Sequence, residues 1–86
     1  MQITRSKRFV KQYAKLSKKV QQQFDERLVL FVYEPQNTLL HIHALAGEFA
    51  GSQSFNVNAD VRVIYKVQKD TIVLLVAIGT HSQLYS

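Results

Sequence analysis

The sequence predicts an α+β fold in which a strand and a two-helix hairpin precede an antiparallel sheet, in the order strand, helix, helix, strand, strand, strand. The prediction rests on apolar stripes at helical spacing in the N-terminal half, a proline-bearing stop at Glu34-Pro35-Gln36-Asn37, and β-prone runs between Ser52 and Ile78. With 86 residues the chain is expected to form a single domain, 1–86. A chain this short buries only about 60% of its unfolded surface and has no material for a second core.

Gln2–Arg5 alternates as a short strand does, and Ser6 is a suitable N-cap for a helix that begins at Lys7. Phe9, Val10, Tyr13 and Leu16 lie on one face at helical spacing, so this first helix should run to about Leu16. Ser17 can cap a second helix, whose stripe is Val20, Phe24, Leu28 and Phe31. The segment Leu28–Tyr33 is rich in β-branched and aromatic residues, yet the stripe continues through it in phase, and Pro35 disfavours helix at the residue before it. The second helix is therefore expected to reach Tyr33.

Beyond the stop, Thr38–Leu45 leads to Ala46-Gly47 and Gly51, which hold two of the three glycines, so a sharp turn into the sheet is expected there. Ser52–Asn58 alternates Phe55 and Val57 against polar neighbours, as a half-buried strand does. Val61–Val67 and Thr71–Ile78 are nearly continuous in apolar residues, which suits central strands, with Gln68-Lys69-Asp70 as the hairpin turn between them.

Composition narrows the function. There is no cysteine, which excludes disulfides, thiolate nucleophiles and Cys-based zinc sites. Met1–Lys19 is broken by charge every few residues, and no apolar run approaches the roughly 20 residues of a membrane span, so a cytoplasmic protein is expected. The net charge is +5, and Arg5, Lys7, Arg8, Lys11, Lys15, Lys18 and Lys19 all precede the first acid, Asp25. A one-sided basic surface attracts polyanions, nucleic acid above all, although a solvated helix face would produce the same pattern.

The chain also carries three motifs: His43-Ala44-Leu45-Ala46-Gly47, the strand Asp60-Val61-Arg62-Val63-Ile64-Tyr65, and Gly79-Thr80-His81-Ser82-Gln83-Leu84-Tyr85. In this order, behind a basic helical half, they make the chain resemble the RelE/ParE toxin superfamily, and within it the YafQ-like branch, over essentially its whole length. The resemblance implies the toxin of a type II toxin–antitoxin system, a ribosome-dependent endoribonuclease that cuts mRNA without metal or cofactor and is restrained by a cognate antitoxin. It assigns active-site positions to His43, Asp60, His81 and Tyr85 and a phosphate contact to Arg62, with Lys66 and Asn56 as further RNA contacts. An acidic antitoxin segment is expected against Lys11, Lys15 and Lys19.

Two positions depart from the branch: Asn56 stands where a histidine is usual, and Ala77 where an arginine is usual. One proton carrier and one cation are thereby lost. A degenerate toxin that only binds its antitoxin or RNA is accordingly one competing reading, and a ParE-type inhibitor of DNA gyrase is another.

Metal-free RNA cleavage needs a base for the ribose 2′-hydroxyl, an acid for the leaving oxygen, and positive charge for the phosphorane. Histidine suits both proton roles and arginine the charge role. On this logic His81 is the acid, His43 or Asp60 the base, Arg62 the phosphate ligand, and Tyr85 a stacking or orienting group. Structural uses compete with each assignment. His41 or His43 can simply satisfy a backbone carbonyl, Asp60 can cap a turn, Arg62 can pair with Glu48 or Asp60, and Tyr85 can pin the tail to the sheet.

Overall fold

A computed structural model describes residues 1–85; Ser86, the last residue of the expected domain, lies outside the described residues. The elements are β1 (Gln2–Arg5), α1 (Lys7–Ala14), α2 (Lys18–Tyr33), β2 (His43–Ala44), β3 (Gln53–Asn56), β4 (Val61–Lys69), β5 (Ile72–Thr80) and α3 (His81–Tyr85). They form the expected α+β fold around a mixed five-stranded sheet of order β1-β5-β4-β3-β2. β2 to β5 pair antiparallel, and β1 joins β5 in parallel.

Both serines cap their helices. Ser6 Oγ accepts from the Phe9 amide at 3.0 Å and Ser17 Oγ from the Val20 amide at 3.3 Å, closing orphan donors that otherwise cost about 1 kcal/mol each. α1 ends at Ala14, two residues before the expected Leu16, because Lys15 and Leu16 form a final turn on Gln12 and Tyr13. The β-prone tail of α2 is helical through Tyr33, with Phe31 buried. Its in-phase stripe meets the sheet, and that burial outweighs the weak local preference for strand.

α1 also completes an edge. β1 covers β5 only as far as Leu75, and beyond it Ser6 Oγ donates to the Val76 carbonyl at 2.7 Å while the Ile78 amide donates to Gln12 Oε1 at 2.9 Å. The N-cap and helix thus satisfy strand groups that would otherwise lie open.

Adjacent residues Val63 and Ile64, both fully buried, point to opposite faces and belong to different apolar clusters. The larger cluster unites Phe9, Phe24, Phe31, Phe55 and Tyr65 beneath the helices. The smaller, on the other face, holds Phe49, Ile64, Ala77 and Leu84. β4 and β5 are therefore covered on both sides over their paired centre, as their apolar sequences predicted, while Lys66–Lys69 is exposed.

Three details differ from expectation. The hairpin turn is Asp70-Thr71, not Gln68-Lys69-Asp70, because a register shift between Val67 and Lys69 absorbs one residue and keeps Gln68 and Lys69 in the strand. β2 pairs only His43 with Ser54 and Ala44 with Gln53, too short a strand to leave a periodic signature. α3 follows β5 directly and is fixed by a reciprocal cap, with the Gln83 amide donating to Thr80 Oγ1 at 3.2 Å and the Thr80 amide to Gln83 Oε1 at 2.9 Å. Among the described residues no helix is long and apolar enough to cross a membrane.

Candidate functional site

Antiparallel register assembles the site. Val61 pairs with Thr80 and Arg62 with Gly79, so the start of β4 lies beside the end of β5 and the first turn of α3. The result is an open hollow of about 430 Å³ lined by Ala59, Asp60, Arg62, Thr80, His81 and Ser82. It combines a carboxylate, a guanidinium and an imidazole, the chemical types required for proton transfer around a phosphate.

Asp60 is exposed and does not cap its turn. That work falls to Asn58, whose Oδ1 accepts from the Asp60 and Val61 amides, both at 2.8 Å. The Asp60 carboxylate is thus left free of local backbone duty. Arg62 is half-buried, and its Nε is shielded from solvent without a hydrogen-bond partner. A buried donor left unmatched by the chain carries a desolvation cost, which fits a guanidinium reserved for an anionic ligand.

His81 opens α3 and faces Tyr85 one turn later, with ring centroids 4.6 Å apart. Tyr85 in turn stands edge-on to the buried Phe49, at 5.4 Å and 87°. Tyr85 therefore both pins the tail and supports the His81 ring. Arg8, which sequence reasoning did not single out, crosses from α1 to place its guanidinium 5.6 Å from the Phe49 ring. This brings a second arginine to the aromatic group beside the hollow. Only the preference of cations for aromatic faces could have hinted at it, and that gives no partner from sequence.

His43 does not line the hollow. It stands on β2, two strands from Arg62, about 10 Å across the sheet. Its Nδ1 donates to the His41 carbonyl at 2.9 Å, and its Nε2 lies 3.4 Å from the buried Ser54 Oγ. His43 is thus not among the residues that line the hollow with Asp60, Arg62 and His81: β3 lies between it and Arg62, and its Nδ1 satisfies a carbonyl. Asn56 lies directly opposite Arg62 in the β3–β4 ladder. Lys66, exposed on β4, sits four residues beyond Arg62, about 13 Å along the strand. Ala77, fully buried, packs with Leu84 and Phe49. Lys11, Lys15 and Lys19 are all exposed on the helical half.

Two tyrosine hydroxyls are perturbed, neither in the hollow. Burial holds Tyr65 above its ordinary value, and at Tyr13 burial, followed by the Asp25 carboxylate, acts in the same direction.

The fold has solved counterparts. YafQ from E. coli strain BL21(DE3) is similar at 24% identity with a TM-score of 0.81, covering 98% of this chain and 97% of that one. YafQ in the E. coli DinJ–YafQ toxin–antitoxin complex is similar at 24% identity and a TM-score of 0.77, with 98% and 96% covered. A chain of the YoeB–YefM complex from Staphylococcus aureus matches at 20% identity and a TM-score of 0.74, over 94% of this chain and 97% of that one. Against curated proteins the chain has no match. The family model of the bacterial YafQ toxin of type II toxin–antitoxin systems matches residues 1–86, and the chain belongs to that family.

Proposed function

We propose that this toxin is a ribosome-dependent endoribonuclease that cleaves mRNA by attack of the ribose 2′-hydroxyl, with the hollow at the β4–β5–α3 junction as its active site. The observation that carries the reading is the convergence of Asp60, Arg62 and His81 on one open cavity. Asp60 takes the 2′-hydroxyl proton as the oxygen attacks phosphorus. The bond from phosphorus to the 5′ oxygen breaks, and the protonated His81 ring supplies the proton that this leaving oxygen requires. The products are a 2′,3′-cyclic phosphate and a free 5′-hydroxyl. Arg62 holds the non-bridging oxygens as charge develops on them. Tyr85 keeps the His81 ring in place and offers a face to a base.

Asp60 is preferred to His43 as base because only Asp60 shares the hollow with the acid. Asn56 and Lys66 contact RNA beside the hollow. No metal or cofactor enters this scheme. In the cell the toxin acts in the cytoplasm and is restrained by a cognate antitoxin, as the DinJ–YafQ pair is a toxin–antitoxin complex. An acidic antitoxin segment lies against Lys11, Lys15 and Lys19.

The test is mapping of mRNA ends after incubation with translating ribosomes. Codon-phased cuts that fall at least about 100-fold in His81→Ala are expected, in line with the 10²–10⁴-fold that one general acid contributes. Undiminished cleavage by His81→Ala removes the assignment. A second reading, a toxin that binds without cleaving, is favoured by the buried Ala77, which supplies no cation; binding of antitoxin and RNA with no cuts would establish it.

A further inference from the structure

A second recess adjoins the hollow and has no part in the chemistry above. It measures about 190 Å³ and is lined by Arg27, Leu39, His41, Asn56, Asn58 and Ala59. Ala59 lines both cavities, and Asn56, on the wall of the recess, is the ladder partner of Arg62 in the hollow. The two cavities are therefore neighbours across a single strand pairing, about 5 Å.

The recess exists because β2 stops early. Continued antiparallel pairing would bring His41 opposite Asn56, but His41 adopts a left-handed backbone, φ 48°, and turns the chain away from β3. Such a conformation is uncommon for a residue with a side chain, and it is held here by neighbours on both sides. Arg27 Nη1 donates to the Leu39 carbonyl at 2.7 Å, and His43 Nδ1 to the His41 carbonyl at 2.9 Å. One donor of the Arg27 fork is committed to the turn, and four remain. The recess thus offers a cation, an imidazole, an amide and the half-exposed apolar side chain of Leu39.

We propose that this recess binds the nucleotide adjacent to the scissile one on a single RNA strand, with Arg27 on its phosphate and His41 and Leu39 flanking its base. The inference rests on the RNA-cleaving reading of the hollow. It adds a subsite that lengthens the footprint on RNA beyond the cleaved phosphate. An arginine gives the charge and forked geometry a phosphate needs, and an imidazole or an apolar side chain accepts a base face without demanding a sequence.

The experiment is an amide chemical-shift titration of the full chain with 2′-O-methyl oligonucleotides, which bind but cannot be cleaved. A dinucleotide should shift Asp60, Arg62 and His81. A tetranucleotide should additionally shift Arg27, His41 and Asn58. Arg27→Gln should weaken tetranucleotide binding about tenfold, the loss of one charge-assisted phosphate contact, and leave dinucleotide binding unchanged. His41→Gly, in which the left-handed backbone is unstrained, keeps the fold and should weaken the tetranucleotide several-fold.

Shifts at Asp60, Arg62 and His81 without any at Arg27 or His41 would overturn the subsite and leave the nuclease reading intact. Recess shifts without hollow shifts would strike the nuclease reading instead. Equal tetranucleotide affinity in both variants, absence of shifts throughout, or recess shifts confined to an acidic antitoxin peptide would each overturn the subsite.

Discussion

Truncating Leu84 to alanine tests whether α3 is a docked arm that carries the site. α3 has only five residues, far below the length at which an isolated helix persists in water. It stays in place because Leu84, 2% exposed, fills the small cluster of Phe49, Ile64 and Ala77, and because Tyr85 meets Phe49. Removing three carbon groups from a buried leucine withdraws about 2.4 kcal/mol of transfer free energy, and an unrelaxed cavity would raise the loss towards 5 kcal/mol. Ordering the backbone of five residues opposes docking by at least about 5 kcal/mol, so α3 is held by a narrow margin and its release limits the cavity cost. Leu84→Ala should then shift α3 towards the undocked state by about 50-fold while lowering global stability by only about 1 kcal/mol, because release of the arm caps the loss at its narrow docking margin. Cleavage per folded molecule should fall about tenfold, the part of that shift left after the margin of about 1 kcal/mol is lost, because His81 and Tyr85 leave with the helix. Hydrogen exchange at the Gln83 and Leu84 amides, read beside initial rates of mRNA cleavage, measures both. Val63→Ala, which thins the helix-side core, is the control: it destabilises but retains activity per folded molecule. Cleavage within about threefold of the parent, with α3 amides still protected, would refute the docked-arm account.

Gly79→Ala should act on the same arm from below, since an added Cβ would lie 2.9 Å from Gln83 Oε1 and 3.3 Å from Gln83 Cβ, displacing the side chain that caps α3; a loss of about 1–2 kcal/mol in denaturant titration and a larger loss of cleavage are expected. The Tyr65 hydroxyl titrates above its ordinary value in the fold, so the unfolded chain loses this proton first and stability must decline as pH rises past about 10, by up to about 1.4 kcal/mol per pH unit. Urea midpoints at about pH 9 and pH 11 should show that decline reduced in Tyr65→Phe, with Tyr13 contributing in the same direction. Charge reversal at Lys11, Lys15 and Lys19 together should slow antitoxin association and reduce its salt dependence, measured by stopped-flow mixing; unchanged kinetics would move the antitoxin to another surface.

The helices and long strands were legible because each carries many residues of one periodic pattern. Ser6 and Ser17 marked the starts, and the in-phase stripe through Phe31 correctly outweighed the β-prone composition of Leu28–Tyr33. α3 was missed although Thr80-His81-Ser82-Gln83 spells a capping box, a local signal that identifies a helix start even when the helix is too short for a stripe. Of the candidate site, the sequence offered residue types and only part of their placement. Asp60 and His81 meet because Val61 pairs with Thr80, a register that packing on both sheet faces fixes and that a one-residue slip would invert. The distance of His43 from the hollow was hidden for the same reason: its motif states what the residue is, whereas the strand between it and Arg62 is known only from sheet order.

The departure at Ala77 is tied to the way α3 docks. Ala77 sits opposite Ile64 beneath Leu84 and Phe49, fully buried. A long cationic side chain at this position would need the volume that Leu84 fills, and its charge would face an apolar cluster unless the arm stood further from the sheet. The small residue therefore lets Leu84 seat closely, and the close seating sets where His81 and Tyr85 stand. Positive charge for a phosphate must then come from around the cluster, not through it. Arg62 stands on the neighbouring strand, inside the hollow, and Arg8 reaches from α1 to the same Phe49 ring that Tyr85 meets, the two guanidiniums to which the proposed cleavage assigns that charge. Loss of the strand cation and the presence of a tightly seated C-terminal arm are in this sense one structural choice, and the proposed cleavage draws its positive charge from those two arginines instead.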